Sequence, residues 1–145
     1  MISLSYLFEQ EKRKEMKIGV IGYSAQKFDE TLAKKLIQLG LEKAGAKSGD
    51  ELVSGLTDLG IPGLAYRIGK NQNMKLIGIA CKLAKDYECY PVDNEILIGE
   101  KWGDESETFL NYIDTLIKVG GGPQSEAEYE KFKGPKFKFE LPAVK

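Results

Sequence analysis

The chain has 145 residues, is 42% hydrophobic and 30% charged, and carries a formal net charge of −1. That length is enough for one domain with a buried core, and the near-neutral balance gives no chain-wide attraction to nucleic acid or an anionic membrane. The absence of histidine excludes Ser-His and Cys-His nucleophile pairs and every histidine metal site.

Cys81 and Cys89 are the only cysteines and lack Cys-x-x-Cys spacing. Cys81 ends an apolar run and reads as a core thiol. Both suit a reducing cytoplasm, the expected location. No apolar stretch approaches the roughly 18 residues that span a bilayer, so no membrane partner is expected. In Met1–Glu15 the apolar Ile2, Leu4, Leu7 and Phe8 precede the charges, the reverse of a signal peptide. Residues 1–15 are read as an N-terminal extension, either an amphipathic cap or a dimer contact, and residues 16–145 as a single domain.

Lys17–Gly22 (KIGVIG) is a β-branched apolar run closed by Gly22-Tyr23-Ser24, a first buried strand. Asp29 to Ala44 carries a helical apolar stripe through Leu32, Leu36, Ile37 and Leu41, with Gly45 at its exit. Glu51–Ser54 is a second strand, ending at Ser54-Gly55-Leu56-Thr57. Pro62 is placed as the first residue of a helix reaching about Lys70. Lys75–Cys81 is a third strand, and Glu88–Val92 and Glu95–Ile98 are weaker extended pieces around Pro91.

Asp104-Glu105-Ser106-Glu107 opens another helix, its acidic first turn favoured by the helix dipole. Thr115–Val119 is the next strand, followed by Gly120-Gly121-Gly122-Pro123 and a helix from Ser125 to about Lys133. Lys136–Leu141 alternates lysine with apolar residues, as a half-exposed edge strand does. Strands alternating with helices predict an α/β fold, a Rossmann-like three-layer sandwich with a mostly parallel sheet and helices on both faces.

In such a sheet the turns after Gly22, Ser54 and Val119 fall on one edge, where ligands bind. Glycines admit close backbone approach, and a helix beginning just after them aims free N–H groups at an anion. The familiar nucleotide fingerprints are absent. Gly19-Val20-Ile21-Gly22 lacks the dinucleotide spacing, and Gly63 to Gly69-Lys70-Asn71 is one residue too long for a P-loop and ends in Asn. No motif implies a metal or a cofactor.

Several residues carry two readings. Ser125-x-x-Glu128 has the form of a capping box, which would leave the three glycines before it unexplained. Asp58 either faces the pocket or forms the turn. Trp102 either stacks on a base or covers the sheet end, and Tyr23 either stacks on a base or is a surface tyrosine. Asp104-Glu105-Ser106 either touches ligand or only starts a helix.

Gly121-Gly122-Pro123-Gln124-Ser125-Glu126-Ala127-Glu128 resembles the Gly-Gly-x-Gly-Thr-x-x-Glu motif of the lonely guy (lysine-decarboxylase-like) family, within the SLOG group of Rossmann-like domains. Ser54 to Pro62 resembles the corresponding turn of DNA-processing protein A, another SLOG relative, and Gly22-Tyr23-Ser24 is similar to the group's first-strand turn. The resemblance implies that Gly121, Gly122, Gln124 and Ser125 hold a nucleotide phosphate, with Gly22, Tyr23, Ser24, Gly55, Leu56, Thr57 and Gly60 completing the cradle. It also implies a homodimer.

Glu128 falls where lonely guy enzymes keep the acid that helps cleave the N-glycosidic bond of a nucleoside monophosphate. The glycine at the motif's fourth position is Gln124 here. Between Glu95 and Ile113, where those enzymes carry an arginine, this chain has only Lys101 as a cation. The leading expectation is binding of a nucleotide or nucleotide-derived ligand, and the alternative is phosphoribohydrolase activity through Glu128. A third reading, single-stranded DNA binding, sits poorly with the absence of basic excess.

Overall fold

The strands run parallel because each crossover returns the chain to the same end of the sheet through a helix or a long loop. In the computed structural model, which describes residues 15–144, β1 (Lys17–Gly22), β2 (Glu51–Ser54), β3 (Lys75–Ala80), β4 (Asn94–Leu97), β5 (Thr115–Val119) and β6 (Lys136–Phe139) form one sheet. The order is β4-β3-β2-β1-β5-β6, and every neighbouring pair is parallel. The expected 1–15 extension lies outside the described residues except for Glu15.

Parallel strands buried on both faces read as continuous apolar runs, and the side chains divide as strand alternation requires. Ile18 and Val20 of β1 and Ile117 of β5 join one core cluster with α1 (Glu30–Ala44) and α2 (Gly60–Asn71), through Ile37, Leu41, Ala65 and Tyr66. Ile21 and Leu116 point the other way. They pack with Phe109 and Ile113, from α3 (Ser106–Tyr112) and just beyond it, while Tyr129 of α4 (Pro123–Lys131) borders the same cluster. The result is the expected α/β three-layer sandwich. Among the described residues, no helix is long and apolar enough to cross a membrane.

Local chemistry sets most boundaries. The Asp29 side chain accepts from the Leu32 amide at 3.1 Å and starts α1, which Gly45 ends in the left-handed conformation. The lysine-rich tail forms β6 at one edge, as its alternation predicts.

Two expectations are corrected and one element is added. Pro62 is the third residue of α2 rather than the first, a position still within the turn whose N–H groups lack helical partners. Glu88–Val92 forms no strand; Cys89 makes an isolated antiparallel bridge to Thr57. Lys82–Asp86, which carried no expectation, is a 3-10 helix.

Candidate functional site

β1 lies between β2 and β5, so the chain's path through the sheet reverses there. At such a reversal the loops leaving the two strands part and open a crevice beyond their carboxyl ends. A cavity of about 340 Å³ occupies this place. Gly22, Tyr23 and Ser24 line it from β1, Gly55 and Thr57 from β2, and Gly122, Gln124, Ser125 and Glu128 from the β5 turn and α4. The three corners separate in sequence therefore share one rim.

Each corner is fixed by its own contacts. A Cβ on Gly22 would lie 2.2 Å from the Val119 carbonyl oxygen and 2.7 Å from Ile61 Cγ1, so only glycine lets β1 and β5 end side by side. The Tyr23 carbonyl accepts from the Ile61 amide at 2.7 Å, tying the β1 corner to α2. Its ring stacks on Phe28 and lies against Gly120, so protein groups already cover much of it. At the second corner Ser54 Oγ donates to the Val20 carbonyl at 2.7 Å.

Leu56, Gly60 and Gly121 do not line the cavity. Leu56 is buried, with φ of 75°, and packs against Gly78; its amide donates to the Tyr66 hydroxyl at 3.0 Å. Gly60 begins α2 against the Tyr23 carbonyl. Gly121, at φ of 111°, packs against Ser125 and turns the chain into α4.

The capping-box reading of Ser125 and Glu128 is overturned. α4 starts two residues earlier than expected, with Gly122 as its N-cap, Pro123 in the first turn and no side-chain cap bond. Ser125 is thus the third helical residue. Pro123 has no N–H, and the amides of Gln124 and Ser125 precede the first intrahelical bond. No hydrogen bond occupies those two amides among the described residues.

Glu128 is 7% exposed. Ser106 Oγ donates to its Oε2 at 2.6 Å, and Gln124 Nε2 reaches the same oxygen at 3.4 Å. Burial pushes the Glu128 carboxyl above its ordinary value, more than those two donors lower it; Glu105 adds to the rise and Lys131 opposes it. A carboxyl held in this way can keep or exchange a proton nearer neutrality.

Glu105 also lines the cavity and is 6% exposed, with Oε1 accepting from the Gly103 amide at 2.7 Å. It is a buried wall residue, and no side-chain bond from it caps α3. Asp104, by contrast, folds back onto the amides of Glu100 and Lys101 and stays outside the lining. Trp102 stands at the mouth, 49% exposed, with its ring 6.0 Å from that of Tyr87.

Among the described residues, no lysine or arginine lines the cavity. Lys101 is exposed outside it. Asp58 is also outside, held by Arg67 through two contacts of 2.6 and 2.9 Å.

No protein-family model and no curated relative matches the chain. Solved structures do. A molybdenum cofactor binding protein from Rippkaea orientalis is 23% identical at a TM-score of 0.64, over 82% of this chain and 71% of that one. The Moco carrier protein from Chlamydomonas reinhardtii is 24% identical at 0.67, over 87% and 76%. TM1055 is 19% identical at 0.62, over 79% and 66%. They share its fold. That agrees with the Rossmann-like domain implied by the resemblance to the SLOG group.

Proposed function

We propose that the cavity binds a small phosphate-bearing ligand of the nucleotide class, including nucleotide-derived molecules. The supporting observation is the meeting of three glycine-lined corners at the strand reversal, with the start of α4 among them. There the Gln124 and Ser125 amides and the helix dipole supply the partial positive charge that an anion needs. Gly122, which lines the cavity, gives the backbone its close approach, and Gly121 turns the chain into α4 behind it. Two of the structural neighbours are named for binding or carrying molybdenum cofactor, which is in keeping with a small-molecule site on this fold.

Calorimetric titration with nucleoside mono- and diphosphates tests the proposal. Saturable binding below millimolar concentration by any of them supports it, and none binding at millimolar levels overturns it.

A second reading rests on Glu128. Its carboxyl lies in the cavity and holds its proton more tightly than an ordinary glutamate. Beside the ribose of a bound monophosphate it would orient water or stabilise an oxocarbenium-like state. Incubation with nucleoside monophosphates followed by assay for free base and ribose 5-phosphate decides this. A rate unchanged in Glu128→Ala removes Glu128 from the chemistry.

A further inference from the structure

We infer that the ring of the ligand presents two adjacent N–H donors, as the 2-amino-4-oxo-pyrimidine edge of guanine does, and that Glu105 and Glu128 receive it. This rests on the nucleotide-class reading of the cavity and narrows it.

The two carboxylates come from different elements, and each is more than nine-tenths buried. Glu105 uses Oε1 for the Gly103 amide, and Glu128 uses Oε2 for Ser106 and Gln124. The second oxygen of each has no protein partner among the described residues. Yet no fully buried side-chain oxygen or nitrogen in the described chain lacks a partner. Both free oxygens are therefore reached by solvent, and the opening that both residues share is the cavity.

Where these carboxyls are ionised they only accept hydrogen bonds, so what they then hold on this side of the cavity must donate. A phosphate is disfavoured there: with no lysine or arginine among the described lining residues, an anion beside either carboxylate meets repulsion that no side-chain cation of that lining offsets. The anionic end of the ligand is thereby assigned to the start of α4 and the ring to the carboxylates. The surrounding walls suit a ring, being apolar and partly aromatic: Ile21, Ile79, Ala80, Phe109 and, at the mouth, Trp102. The volume, about 340 Å³, lies within the usual range for small-molecule sites. Guanine offers a ring N–H and an amino group side by side. Hypoxanthine lacks the amino group, and adenine puts an acceptor where guanine has the ring N–H.

GMP, IMP and AMP titrated against the full chain test this, because GMP and IMP differ only in the amino group. GMP is expected to bind about ten- to a hundredfold tighter than IMP, the value of one hydrogen bond to a charged acceptor, with AMP no tighter than IMP. Glu105→Gln and Glu128→Gln, each verified as folded by its melting transition, should shrink the GMP-to-IMP ratio at least severalfold. If all three nucleotides bind equally, or AMP binds best, the donor-edge inference is refuted and the nucleotide reading survives. If none binds at millimolar concentration, both fall.

Discussion

Glu128→Gln should stabilise the folded chain at neutral pH, and by an amount that depends on pH. In the wild type the carboxylate has left bulk water for a site with no cation bonded to it. Its charge is held by one short bond from Ser106 and one long contact from Gln124. Glu105 adds like charge and Lys131 relieves part of it. Glutamine keeps the shape and an oxygen for Ser106 but carries no charge.

An isolated buried carboxylate would cost several kcal/mol. The Ser106 bond returns about 2 kcal/mol, and access to the cavity hydrates the free oxygen. A net gain of about 1 kcal/mol remains, typical of neutralising a strained functional group, and corresponds to roughly 4 °C in Tm for a chain of this size.

The pH dependence follows from the direction of the Glu128 shift. A carboxyl raised on folding from its ordinary value of 4.5 keeps its proton in the folded chain over a range where the unfolded chain has lost it. Wild-type stability therefore falls as pH rises through that window and does not suffer this loss below it. Glutamine does not titrate. Urea unfolding of both proteins from pH 5 to pH 8 should show the advantage of Glu128→Gln opening as pH rises. A difference flat in pH, or a wild type that is the more stable at pH 8, refutes the account of a desolvated carboxyl.

Tyr66→Phe should cost about 1–3 kcal/mol in urea unfolding, because it strips the buried Leu56 amide of the hydroxyl that accepts from it and the Ile77 carbonyl of a donor at 2.9 Å; a neutral result would mean the amide finds another partner. Buried Lys118 pairs with half-exposed Glu126 at 3.1 Å, and Glu126 also holds Lys138 at 2.7 Å. Glu126→Ala leaves Lys118 buried without its carboxylate and should cost about 2 kcal/mol, whereas Lys118→Met should stay within about 1 kcal/mol of wild type; equal costs in chemical denaturation would contradict that asymmetry. Gly22→Ala drives a methyl into the Val119 carbonyl and should cost about 2–3 kcal/mol while abolishing nucleotide binding by calorimetry. Intact binding would show that the β1–β5 closure is not needed for the site.

The sheet was legible because its strands are short apolar runs ended by glycine or serine, and such runs leave little freedom of register. β1, β2 and β5 have the boundaries their sequences imply. The meeting of the three corners followed from parallel order alone. α4 was less legible. Ser-x-x-Glu is a strong local signal for a helix start, but Pro123, with its fixed φ, begins the helix two residues earlier and converts the two expected capping residues into wall residues. Glu105 was obscured for a related reason. An acidic residue before a helix has an adequate local explanation in the dipole, and only the fold reveals that this side chain is buried against the cavity. Ordinary burial of an acidic residue in the first turn of a helix leaves no mark on the sequence itself.

The polarity of the cavity reverses what the sequence resemblance implied. In the stretch where lonely guy enzymes carry an arginine, this chain brings a glutamate, Glu105, to the wall and leaves Lys101 outside. On the proposed reading, phosphate binding falls to the backbone of α4, whose dipole is worth about 0.3–1 kcal/mol per favourable charge where exposed and up to about 2 kcal/mol where partly buried. Affinity must come mainly from the buried ring. Such a site should lose little affinity with added salt, since screening acts on an exposed phosphate contact and hardly on a ring held inside the cavity. It also weakens the case for glycosidic cleavage, because a second carboxylate beside Glu128 raises its proton affinity without supplying the cation that would steady a departing phosphorylated sugar. The charge of the wall thus favours holding a donor-rich ring over cutting it free.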